Sequence, residues 1–160
     1  MKQIVADLPD FLQSIQKNFV DFQNGVGYEE YKSEFMCSKL SHVLADACHM
    51  PKNAAMAIIM PAWCKYLLRR NVDYLAVFAR MVWDVPEDVI SVSAAAQEGI
   101  AHFQNFLCQC GLAVTLREYG IRNIDSKNLA EQVCNTDKEF FIENGMELRD
   151  VQSIYELAKG

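Results

Sequence analysis

The sequence predicts an all-α fold, a single helical domain of about seven or eight helices, and three observations carry that expectation. Apolar residues recur with a period near 3.6 along almost the whole chain. No stretch alternates apolar and polar residues between hairpin turns, so no strands are predicted. The chain has 160 residues, 51% apolar and 22% charged, with only seven Gly and four Pro. That is enough to bury one core, and too poor in breakers for a loop-rich or low-complexity protein. Neither an internal repeat nor a linker-like segment is visible, so residues 1–160 read as one domain.

The elements follow in order. Ile4, Leu8, Phe11, Leu12, Ile15, Phe19 and Phe22 share one helical face. They make residues 1–27 an amphipathic N-terminal helix, with Asp7 and Pro9 suited to an early boundary and Asn24-Gly25 to its end. A second helix is expected from about Tyr28 to Ala47, carrying Tyr31, Phe35, Met36, Val43 and Leu44, and Met50-Pro51 interrupts it. Asn53 is expected to cap a third helix through about Arg70. Pro61 must kink that helix or sit where a backbone hydrogen bond is already missing. Asp73 opens a helix with Leu75, Phe78, Val82 and Trp83, closed before Pro86. Ser91 or Ser93 starts the most regular helix, striped by Ala96, Ile100, Phe103, Leu107 and Cys110 and ended by Gly111. Thr115-Leu116-Arg117-Glu118 has capping-box spacing, with Gly120 as the stop. Two short helices finish the chain, near Ser126 to Asn135 and Arg149 to Ala158. Val151, Ile154, Tyr155 and Ala158 share one face of the last.

Composition narrows the function classes. A formal charge of −6 disfavours nucleic acid, because phosphate binding needs clustered Lys and Arg. Arg69-Arg70 is the longest basic feature. The start, Met1 to Asp10, lacks the apolar core of a signal peptide. The most apolar stretch, Ala54 to Cys64, is about half the roughly 20 residues a membrane span needs. No membrane association is expected. Six cysteines without an export signal read as free thiols in a reducing cytoplasm.

A family resemblance rests on motifs in order. Ala54-Ala55-Met56-Ala57-Ile58-Ile59-Met60-Pro61-Ala62-Trp63-Cys64-Lys65-Tyr66 resembles the helix that follows the metal site in iron-containing alcohol dehydrogenases, the butanol dehydrogenase branch above all. Phe78-Ala79-Arg80 with Val82-Trp83 is similar to that family's next helix. Gln97-Glu98-Gly99-Ile100, Cys110-Gly111-Leu112 and Thr115-Leu116-Arg117-Glu118-Tyr119-Gly120-Ile121 continue the match. Asp150-Val151 with Ile154-Tyr155-Glu156-Leu157-Ala158 resembles the C-terminal helix. The resemblance covers residues 28–160.

Such proteins join a nicotinamide-binding α/β domain to a helical domain that holds a divalent metal through one Asp and three His. The resemblance therefore implies the later part of the helical domain. No Gly-rich phosphate loop is present, and the earlier helix that supplies an Asp and a His ligand has no counterpart. Two family ligand positions fall within the chain. One belongs to a His-Gly pair, read here as Lys52-Asn53; the other falls near Ser38 if the spacing is unbroken. A third family histidine, near the cofactor and not a ligand, coincides with His42. An alternative alignment matches Phe35-Met36-Cys37 to an earlier segment and makes the intervening loop a deletion. In either case both ligand histidines are absent, and Lys52 would bring a cation where the metal needs a neutral or anionic donor. No metal and no cofactor are expected on this chain.

The remaining candidates each have a sharp and a bland reading. His42 is the one candidate catalytic residue, read by preference as a structural or surface histidine. Cys37, His42, Cys48 and His49 carry zinc-type donors, but residues on one continuous helix cannot all converge. Cys108 and Cys110 point about 200° apart on a helix; Cys110 is expected in the core and Cys108 exposed. Cys64 and Cys134 read as small hydrophobes. Glu29, Glu30 and Glu34 read as a solvated face. Met56, Met60 and Trp63 form either core packing or a ligand groove.

The sequence is thus expected to encode a truncated, degenerate dehydrogenase-like domain, not catalytic alone and acting as a binding or scaffold module. It would self-associate or meet a separate protein over a former domain interface. The alternative is the helical subunit of a split NAD(P)-dependent enzyme. A different enzyme, using the cysteines or a new metal site, ranks last.

Overall fold

The computed structural model describes residues 32–86 and 91–160. The expected amphipathic helix over 1–27 lies outside the described residues. Among those residues the fold is all-α, with eight helices and no strand. They are α1 (Lys32–Cys48), α2 (Lys52–Leu67), α3 (Val72–Trp83), α4 (Val92–Gln109), α5 (Leu116–Tyr119), α6 (Ser126–Thr136), α7 (Lys138–Glu143) and α8 (Leu148–Lys159). None is long and apolar enough to cross a membrane.

The main core lies where α1, α2, α6 and α8 meet. Leu40, Leu44, Ile58, Ile59, Ala130, Val133, Val151, Ile154 and Tyr155 close it, and Phe141 of α7 joins them. The Tyr155 hydroxyl donates to the Leu40 carbonyl at 2.9 Å, so the polar end of a fully buried ring is satisfied by the backbone of α1. Helices α3 and α4 make a second body through Leu75, Ala76, Ala79, Ala95, Ala96 and Ile100. Helix α2 touches both bodies, which accounts for its near-continuous apolar sequence.

Gly99 marks the closest approach of α3 and α4. A Cβ there would stand 2.4 Å from the Ala79 Cβ. Only hydrogen fits that gap.

Helix ends differ from expectation at four places. Asn71, not Asp73, caps α3, its side chain accepting from the Tyr74 N–H at 3.2 Å; Asp73 falls in the first turn. The start of α4 is as expected: of the two serines, Ser91 caps it, accepting from the Ala94 N–H at 3.2 Å. Asn53 is not the cap of α2: Pro51 stands at that position, and Asn53 lies inside the first turn. Pro is well placed there because its fixed φ suits the helix entry. Helix α2 also stops at Leu67 rather than Arg70, and Pro61 is buried within it. At α5, Thr115 accepts from the Glu118 N–H at 3.1 Å, but Glu118 reaches back to the Val114 N–H at 2.9 Å rather than to that of Thr115. The box is shifted by one residue.

Helix α7 follows α6 with only Asp137 between them. Its six residues hold three consecutive apolar side chains, Phe140, Phe141 and Ile142, too short a run to display a helical period.

Candidate functional site

The positions that the family resemblance singles out lie on α1 and at the start of α2. Ser38 is half-buried, and its carbonyl accepts from the hydroxyl of fully buried Ser41 at 3.0 Å. Its neighbour Lys39 pairs with Asp137 and lies 4.7 Å over the Phe140 ring. That ion pair holds the Asp137 carboxyl below the usual carboxylate range. Together these contacts tie the middle of α1 to the α6–α7 junction.

His42 faces solvent. Its side chain is 63% exposed, with Nε2 3.7 Å from Asp46 Oδ2 one turn on. Cys37, in contrast, is buried in the main core. Cys48 is half-buried, and burial pushes its thiol up. His49 is exposed at the left-handed residue that ends α1, with φ of 50°. Its N–H reaches the Asp46 carbonyl at 3.4 Å and the Met50 N–H reaches that of Ala45 at 3.0 Å, the two bonds of a Schellman end. The four candidate zinc donors therefore diverge, one into the core and both histidines into water.

Lys52 is exposed as the first residue of α2. The donor set at the two positions to which the resemblance points is thus one neutral hydroxyl and one ammonium. Among the described residues no three His, Cys, Asp or Glu side chains group as metal donors. A divalent metal of the family's kind does not fit these residues. A hydroxyl is a weak donor, and an ammonium repels the ion.

The chemistry-bearing residues that do converge lie elsewhere, between the end of α2 and the start of α8. Arg70 Nη2 donates to Asp150 Oδ1 at 2.7 Å, while Asp150 Oδ2 accepts from the Glu147 N–H at 2.9 Å. The guanidinium also lies 5.0 Å over the Tyr66 ring. The Tyr66 hydroxyl donates to Met146 Sδ at 3.7 Å. Burial, aided by the Asp150 carboxylate and opposed by Arg70, pushes the Tyr66 phenol up to about 12. Every group in this knot has a partner, so it reads as a fastening of α8 to α2. No local sequence signal pairs residues 80 positions apart.

Met56 and Met60 are half-buried against the main core, and Trp63 is buried and stacked on Tyr66 at 5.5 Å. Of the two readings for these three residues, packing is the one the contacts describe. Burial pushes the Cys64 thiol up to about 12 and raises that of Cys134, which suits their reading as small hydrophobes. Cys108 is exposed as expected. Cys110 is exposed as well, against expectation: α4 ends at Gln109, and Cys110 is the C-cap, already off the apolar stripe. All six cysteines are free.

A model of the C-terminal domain of the Fe-containing alcohol dehydrogenase family matches residues 29–159. Among solved structures, NADH-dependent butanol dehydrogenase A from Thermotoga maritima is similar with a TM-score of 0.63 and 26% identity. The match covers 78% of this chain and 32% of that one. The substrate- and cofactor-free form of the aldehyde reductase YqhD from E. coli is similar with a TM-score of 0.63 and 23% identity, over 77% of this chain and 32% of that one. At that identity it bears on the fold alone. The chain spans about a third of the length of these structures. Comparison with curated proteins yields no match.

Proposed function

The chain belongs to the Fe-containing alcohol dehydrogenase family, matching its C-terminal domain, and from that premise we propose that it is a degenerate form of the domain, serving as a helical binding or scaffold module without metal-dependent alcohol chemistry. One observation carries the reading. The two positions that the resemblance marks for the family's ligands, with unbroken spacing, carry the half-buried Ser38 and the exposed Lys52. Polarising an alcohol oxygen toward its alkoxide takes a held Lewis acid, and this pair offers neither the donors nor the charge to hold one. The packing of α1, α2, α6 and α8 into one core supports a retained helical body.

Five apolar side chains on α3, α7 and α8 stay more than a third exposed: Val77, Met81, Ile142, Leu148 and Leu157. They support the expectation of a protein partner or a second copy. The six free cysteines support a reducing, cytoplasmic setting.

The test is alcohol-dependent reduction of NAD or NADP by the purified chain, supplied in turn with ferrous iron and zinc. No turnover above the protein-free blank is expected. Metal-dependent turnover lost on chelation would overturn the proposal.

A further inference from the structure

We draw no further inference here: the strongest candidate, the surface patch at the turn between α7 and α8 where Ile142 and Leu148 stay exposed, carries nothing because nothing in the structure shows what covers it.

Discussion

His49 holds a left-handed backbone position that α4, α5 and α7 assign to Gly111, Gly120 and Gly145. A side chain there crowds the following carbonyl, at a cost of about 1 kcal/mol. His49→Gly is therefore expected to raise Tm by about 2–4 °C, the shift about 1 kcal/mol produces at this size. Thermal denaturation followed by circular dichroism checks it, and an unchanged or lower Tm would argue for a stabilising role of the imidazole. Asp150 is expected to respond in the opposite sense. It serves two donors, the Arg70 guanidinium and the Glu147 N–H, with its side chain only 10% exposed. Asp150→Ala should cost about 2–3 kcal/mol, read as a lower urea midpoint with an unchanged slope. Residue-scale chemistry was legible in the sequence only where it is local. Gly111 and Gly120 announced their helix ends; His49 gave no such sign, because its place depends on where α1 runs out. Cys110 was misplaced for a related reason, since one residue past the helix end the stripe no longer predicts burial.

Among the elements, the α3–α4 contact is the least tolerant of change. Glycine in mid-helix is about 1 kcal/mol worse than alanine in a free helix. Here the sign reverses, because a methyl at position 99 would stand 2.4 Å from the Ala79 Cβ and 2.9 Å from its Cα. Gly99→Ala should destabilise by about 1–3 kcal/mol through forced separation of the two helices, and Gly99→Val by more. Chemical denaturation of the two variants tests the order; a stabilised Gly99→Ala would show that the helices slide apart freely. The long helices were legible from their apolar period alone. Helix α7 was not, because three adjacent apolar residues carry no period, and the caps at Pro51 and Asn71 each fell two residues before the expected Asn53 and Asp73. At α3 the shift reflects a competition between Asn71 and Asp73, both able to cap; at α2 no side chain caps the start, and Pro51 sets it through its fixed φ.

The whole molecule buries ionisable groups in their neutral forms, and this sets its response to alkali. Burial pushes the Cys64 thiol from 9.0 up to about 12, and burial with the Asp150 carboxylate carries the Tyr66 phenol from 10.0 up to about 12. Tyr155 is raised as well, by burial. In each case the folded pKa exceeds the unfolded one. Between pH 9 and about 12 the unfolded chain therefore binds fewer protons than the folded chain, and stability falls as pH rises. Below pH 9 this contribution is fully present. Thermal scans should show Tm falling from about pH 9 upward, and Cys64→Ala should make the fall between pH 9 and 10 shallower, leaving the smaller share of Cys48 and Cys134 until the tyrosines add to it above pH 10. A slope unchanged by that substitution would remove Cys64 from the account.

At the same scale, the family and its helical body could be read from motif order between Ala54 and Ala158. The proposed loss of the family's metal site rests on two side chains, Ser38 and Lys52. Native mass spectrometry of the chain, purified gently without chelator and then offered ferrous iron or zinc, tests it most directly. The predicted result is a chain mass without stoichiometric metal, alone or in a complex with itself or a protein partner. One metal ion bound per chain, retained through buffer exchange, would contradict the account and point to donors other than Ser38 and Lys52.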